Sequence, residues 1–130
     1  MKNILKNRPG SKPALIVEDN LDHLQLLQME LKSFGWDSIA AVDGREALEK
    51  VREREPRFIL LDLMIPQISG IEVLRILKSD PTYRKIPILV VTALAAADIR
   101  EKCLSAGCDD FLLKPFTRQD LETRLRRIVS

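Results

Sequence analysis

Four short apolar runs in this chain each stop at a polar residue of a kind that does chemistry. Ala14-Leu15-Ile16-Val17 is followed by Glu18-Asp19-Asn20, and Phe58-Ile59-Leu60-Leu61 by Asp62. Ile88-Leu89-Val90-Val91 is followed by Thr92, and Phe111-Leu112-Leu113 by Lys114. Ionisable groups set straight after buried segments are more often there for chemistry than for packing. Three carboxylates brought to one place repel one another and call for a cation. Hard oxygen donors with room for water suit Mg²⁺, whose shell water and phosphate oxygens complete. Lys114 adds a positive charge that can pair with a carboxylate or a phosphoryl oxygen. Thr92 adds a hydroxyl donor. A carboxylate can itself be the nucleophile in phosphoryl transfer and carry the group as an aspartyl phosphate. The surroundings then position the partners and neutralise charge. Asp62, on the middle run of the series, is the best nucleophile candidate.

The elements that must position these residues are legible from periodicity. The runs are short, rich in branched side chains and bounded by turn signals, as strands buried on both faces are. Ser38-Ile39-Ala40-Ala41-Val42 and Phe111-Leu112-Leu113 are weaker strand candidates than the other three runs. Between the runs lie helical stripes. Leu24, Leu27, Leu31 and Phe34 form one, stopped by Gly35. Ala47, Leu48 and Val51 form another, ended by Pro56. Val73, Leu74 and Leu77 follow Gly70; Ile99, Cys103 and Ala106 are closed by Gly107; Leu121, Leu125 and Ile128 follow Thr117 as N-cap. Strand and helix alternate five times, which argues for a parallel sheet covered on both faces. Five units are too few for an eight-fold barrel, leaving an open doubly wound sheet whose ligands sit at the carboxyl ends of the strands.

Composition sets the outer bounds. The chain has 130 residues, 45% hydrophobic and 31% charged, which excludes wholesale disorder. Its length suits one domain; residues 1–12 read as a flexible leader and 13–130 as the folded unit. With 21 Lys and Arg against 19 Asp and Glu, the net charge of +2 carries no nucleic-acid signature. No apolar run approaches the ~20 residues that span a bilayer, and Met1–Pro13 holds no secretory signal. A cytoplasmic protein is expected. Two cysteines, Cys103 and Cys108, cannot complete a zinc site and read as small buried residues of a reducing compartment. His23 reads as a surface residue near a partner-docking face and not as a ligand. Asp109 and Asp110 read as a solvated turn. Arg118, Arg124, Arg126 and Arg127 read as a solvated helix face.

Taken in order and spacing, the motifs resemble the receiver domain of two-component response regulators. The matching pieces are Leu15-Ile16-Val17-Glu18-Asp19-Asn20, then Asp62 with Pro66 and Gly70 four and eight residues on, then Val91-Thr92-Ala93, Ala106-Gly107 and Lys114-Pro115-Phe116. The resemblance runs from Pro13 to about Val129. It implies a flavodoxin-like (βα)5 α/β fold with a five-stranded parallel sheet in the order 2-1-3-4-5. It also implies Asp62 as phosphoacceptor, with Mg²⁺ held by Asp19 directly, by Glu18 through water, by Asp62 and by the Met64 carbonyl. Lys114 would bind the phosphoryl group, next to a cis Lys114-Pro115 bond. Thr92 and the Ala93 backbone N–H would take the remaining phosphoryl oxygens. Thr92 and Phe111 would be the moving pair of a two-state switch.

The acidic pair is Glu-Asp where many receivers have Asp-Asp, and the switch aromatic is Phe111, without the hydroxyl of a Tyr. Met64 and Leu94 flank the expected phosphoryl position and cannot orient a hydrolytic water. The implied partners are a histidine kinase or a histidine phosphotransfer protein, and a downstream protein on the region 96–129. The implied function is a single-domain receiver that catalyses its own phosphorylation and slow dephosphorylation, as an output or as a relay. A binding module with a decayed site is disfavoured by the intact residue set. A phosphatase with an Asp nucleophile is disfavoured because Met64, two after Asp62, is no general acid. A domain belonging to a longer protein is a further alternative, less natural given the Met1 start and the polar end at Ser130.

Overall fold

In a computed structural model of the chain, residues 12–129 are described. The expected leader lies outside them except for Lys12. The order of elements is β1 (Ala14–Val17), α1 (Leu21–Ser33), β2 (Ser38–Ala41), α2 (Gly44–Arg54), β3 (Ile59–Leu61), α3 (Gly70–Ser79), β4 (Ile88–Thr92), α4 (Ala97–Ser105), β5 (Asp110–Leu113) and α5 (Arg118–Val129). The five strands pair in parallel in the order β2-β1-β3-β4-β5. This is the flavodoxin-like order that the resemblance implied.

Side-chain alternation along the strands divides the core in two. Leu15, Val17, Ile59, Leu61, Ile88 and Val90 point to one face, where they meet α2, α3 and α4 through Ala47, Val51, Val73, Leu74 and Cys103. Ala14, Ile16, Leu60, Leu89 and Val91 point to the other, where they meet α1 and α5 through Leu24, Leu27, Leu31, Leu121 and Leu125. Both faces are covered, so the central strands β1 and β3 are apolar throughout and not alternating.

The chain punctuation explains where elements stop. Gly35 and Gly107 adopt positive φ at 91° and 102° after α1 and α4. α2 ends one residue earlier than Pro56 requires, on Glu55 in the left-handed region at φ 42°. Asn20, Asp43 and Ser69 cap α1, α2 and α3 with their side chains. Thr117 and Asp120 form a reciprocal pair at the start of α5, each side chain accepting the other's N–H at 3.0 Å. Gly70 is needed for space: a Cβ there would lie 2.5 Å from the Asp62 carbonyl oxygen. The glycine lets α3 close down on the loop that carries Asp62.

Two surface readings are corrected by tertiary contacts. Asp109 is exposed in the bend before β5, as a solvated turn would be, whereas Asp110 is half-buried at the start of β5, and both carboxylates are engaged by distant partners. Asp109 Oδ2 accepts from Lys78 Nζ at 2.9 Å and from the Ile88 N–H at 2.8 Å, tying the start of β4 to the end of α3. Asp110 accepts from Arg124 at 2.9 Å, and Arg124 also donates to the Phe111 carbonyl at 2.7 Å. The α5 arginines are therefore only partly a solvated face, since Arg124 fastens the helix to β5. Arg118 lies 4.6 Å over the Phe34 ring and reaches Glu30 at 3.3 Å. Cys103 and Cys108 are free and buried, as expected. Burial foremost, then the nearby Cys103 thiol and the Asp109 and Asp110 carboxylates, pushes the Cys108 thiol up to about 12, so it is protonated and unreactive at neutral pH. Among the described residues, no helix is long and apolar enough to cross a membrane.

Candidate functional site

The carboxyl ends of β1, β3, β4 and β5 bring Glu18, Asp62, Thr92 and Lys114 to one edge of the sheet, because parallel strands in register end together. Backbone hydrogen bonds set that register: Glu18 N–H to Ala41 O at 2.9 Å, Asp62 N–H to Val17 O at 3.0 Å, and Lys114 N–H to Thr92 O at 2.8 Å. Lys114 precedes Pro115 across a cis bond, as the resemblance implied.

The Lys114 ammonium is the centre of the arrangement. Its Nζ donates to Glu18 Oε1 at 2.5 Å and to Asp62 Oδ2 at 3.0 Å, and lies 3.2 Å from His23 Nδ1. Glu18 is buried, and Asp62 nearly so. Burial on its own would lower the Lys114 pKa. The hydrogen bonds and charges of Glu18 and Asp62 outweigh it, and the pKa is raised above the ordinary 10.5. The remaining oxygens are occupied by local backbone: Glu18 Oε2 accepts from the Asn20 N–H at 3.1 Å, and Asp62 Oδ1 from the Met64 N–H at 3.0 Å. Asp62 thus presents one oxygen to its own loop and the other to a cation.

Thr92 is fully buried at the end of β4, and its Oγ1 accepts from the Leu94 N–H at 3.3 Å. Ala93 is exposed at the same edge, Leu94 is half-buried and the Met64 side chain is exposed. Phe111 is buried in the core on the α2–α4 side. Asp19, next to Glu18 at the end of β1, is exposed. Two of the three expected carboxylates therefore converge, on a lysine. Among the described residues, no three His, Cys, Asp or Glu side chains are grouped to hold a metal.

Such a grouping is not what Mg²⁺ demands. Mg²⁺ keeps several waters and takes one or two carboxylates. Asp62, the exposed Asp19 beside it in the sheet order and the Met64 carbonyl are all hard oxygen donors, and Asp19 leaves the open face that a hydrated ion requires. The residues fit the ion.

The sequence reads His23 as a surface residue near a partner-docking face and not as a ligand. It is half-exposed, yet its ring reaches Lys114. The available signal was its position. It is four residues after Asp19 in the first turn of a helix that starts at the sheet edge, and helix side chains lean back toward the N-terminus. Together with Ala93, Pro115, Phe116, Leu26 and Leu27, the His23 and Lys114 side chains border a cavity of about 320 Å³.

Comparison with known proteins agrees with this geometry. Residues 14–126 match the family model described as the response regulator receiver domain. The chain is 36% identical over 107 residues to the polar-differentiation response regulator DivK of Brucella ovis, covering 82% of this chain and 87% of that protein. The crystal structure of the receiver domain of a sensor histidine kinase from Pseudomonas aeruginosa, with a magnesium ion coordinated in its active-site cleft, superposes with a TM-score of 0.82 at 32% identity, covering 92% of this chain and 99% of that one. The chemotaxis protein CheY4 of Vibrio cholerae superposes with a TM-score of 0.83 at 27% identity, covering 90% and 98%.

The Lys114 bridge has a measurable cost of removal. Lys114→Met leaves Glu18 and Asp62 buried without their cation, and uncompensated buried charge costs several kcal/mol. In urea denaturation at pH 7 without Mg²⁺, the variant is expected to lose on the order of 3 kcal/mol of stability. An unchanged midpoint and slope would contradict the bridge. Because the folded pKa of Lys114 is raised, its contribution is complete below the ordinary 10.5 and disappears only as the pH rises past the folded value.

Proposed function

This chain belongs to the family of response regulator receiver domains, and we propose that within it Asp62 accepts a phosphoryl group from a phosphohistidine donor. The observation that carries this reading is the convergence of Lys114 on Asp62 and Glu18 at the carboxyl edge of the sheet. A carboxylate oxygen of Asp62 attacks phosphorus, the P–N bond of the donor imidazole breaks, and the departing imidazole nitrogen keeps the electron pair and takes a proton. The product is an acyl phosphate on Asp62. Asp19, Asp62 and the Met64 carbonyl would hold Mg²⁺, with Glu18 joined through water; the ion supplies charge neutralisation on the phosphoryl oxygens.

The chain's own residues do the rest. Asp62 is held in place by the Met64 N–H on its loop-side oxygen, which leaves Oδ2 for the reaction. Lys114, already within 3.0 Å of that oxygen, pairs with a phosphoryl oxygen once Asp62 carries the acyl phosphate and the negative charge lies on the phosphoryl oxygens. Thr92 Oγ1 and the Ala93 N–H take the remaining oxygens. Thr92 is buried and its hydroxyl oxygen accepts from the Leu94 N–H of the β4–α4 loop, so reaching a phosphoryl oxygen requires that loop to shift, with the buried Phe111 as the second member of the moving pair. That movement is the switch.

The region 96–129 is the surface that reads the switch. It contains α4, β5 and α5, and exposes Leu104 and Leu113 beside the half-buried Arg124. The alignment spans 87% of the DivK relative, a length that supports signalling through the receiver surface itself, either to a partner or along a relay. A cytoplasmic site of action, next to a histidine kinase or a histidine phosphotransfer protein, completes this reading.

Incubation with Mg²⁺ and acetyl phosphate is expected to add one phosphoryl group to the wild-type chain and none to Asp62→Ala, read by intact mass. Equal labelling of the two would defeat the assignment of Asp62. A second expectation concerns lifetime. In-line hydrolysis needs a placed water, and the exposed Met64 and half-buried Leu94 offer it no polar partner. Met64→Asn and Leu94→Glu are expected to speed the decay of the phosphorylated protein several-fold, on the order of one added hydrogen bond to the attacking water. Decay rates equal to wild type would show that these side chains do not control hydrolysis.

A further inference from the structure

The Lys114 ammonium has three protons and three acceptors around it. Two acceptors are the Glu18 and Asp62 carboxylates; the third is His23 Nδ1 at 3.2 Å. An ammonium only donates. A ring nitrogen facing it at this distance therefore turns its lone pair toward it and carries the ring proton on the other nitrogen, Nε2. The same Nδ1 lies 3.9 Å from Glu18 Oε1, too far for a hydrogen bond, so the histidine reaches the carboxylate only through the lysine.

We propose that His23 is a positioning residue for Lys114, a neutral third acceptor that fixes the direction of the ammonium while the phosphoryl group is transferred to Asp62. The inference rests on the reading of Asp62 and Lys114 as the phosphoryl site. The placement of His23 is built into the fold. Asn20 caps α1 by accepting the His23 N–H at 3.0 Å, which sets the backbone of that turn beside the end of β1. The ring then borders the cavity beside Leu26, Leu27, Pro115 and Phe116, so apolar side chains stand near the ammonium on that side.

The reaction gives this third contact a use. Once Asp62 is an acyl phosphate, the negative charge lies on the phosphoryl oxygens and no longer on Oδ2, while Glu18 still attracts Lys114 to its earlier place. A neutral imidazole restrains the ammonium without competing with phosphoryl oxygens as a second carboxylate would. Lys114 then pivots between Asp62 and the phosphoryl oxygens from a held position.

The test uses the full chain and two variants. His23→Leu removes the acceptor; His23→Asn returns an oxygen bonded to Cγ, where Nδ1 stands in the ring. Phosphorylation rates are measured with acetyl phosphate and Mg²⁺, and the His23 ring nitrogens of the unphosphorylated wild type are read by ¹⁵N NMR. The expected result is formation slowed about fivefold in the leucine variant and restored to within about twofold of wild type in the asparagine variant, the effect of one ordinary net hydrogen bond. The neutral ring is expected to carry its proton on Nε2. Wild-type rates in the leucine variant, an asparagine variant as slow as the leucine one, or a proton on Nδ1 would each overturn the proposal. Failure of the underlying reading looks different, because Asp62→Ala would then take up label like wild type, and the NMR result stands apart from phosphorylation altogether.

Discussion

One buried ammonium, shared between two carboxylates, is the interaction on which this site depends. Lys114 is 96 residues from Glu18 and 52 from Asp62 in the chain, yet its Nζ donates to both. Two nearly buried carboxylates at one sheet edge would repel each other, and each alone would be costly to desolvate. The lysine makes their proximity possible. In return the carboxylates keep it charged, raising its pKa against the effect of burial. The same geometry sets the ammonium beside Asp62 Oδ2, so a phosphoryl group placed on that oxygen would present its own anionic oxygens to Lys114.

The rest of the fold is arranged to bring these groups together. Parallel pairing in the order β2-β1-β3-β4-β5 makes the strand ends coincide, and apolar side chains on both faces prevent slippage, since a shift of one residue would turn each strand's two faces around. Gly70 allows α3 to approach the Asp62 loop. Lys78 and Asp109 tie the end of α3 to the start of β4, and Arg124 ties α5 to β5. These clips fasten α3 and α5 to the sheet, whereas the β4–α4 loop after Thr92 turns its Leu94 N–H back to the Thr92 hydroxyl.

Much of this was legible in the sequence, and the limits follow from physics. Strands buried on both faces announce themselves by continuous apolar runs, helices by their stripes, and stops by Gly35, Gly107 and Pro56. The edge residues Glu18, Asp62, Thr92 and Lys114 were visible because each follows such a run. Contacts between distant surface residues carry no period. Asp109, Asp110 and Arg124 read as solvated because nothing local reveals Lys78 or the β5 backbone as partners. His23 read as peripheral for the same reason, since its contact with Lys114 spans 91 residues. The three-carboxylate cluster was anticipated from position alone. In the structure Glu18 and Asp62 are buried and share Lys114, while Asp19, at the same strand end, is exposed.

The central claim is that Lys114 leaves its carboxylate bridge when Asp62 carries a phosphoryl group. A crystal structure with Mg²⁺ and beryllofluoride, a stand-in for the phosphoryl group, tests it directly. The account predicts beryllofluoride on Asp62, Lys114 Nζ within hydrogen-bond distance of a fluoride, and its bond to Asp62 Oδ2 broken. Lys114 still bridging Glu18 and Asp62 in the loaded protein, or beryllofluoride bound away from Asp62, would contradict it.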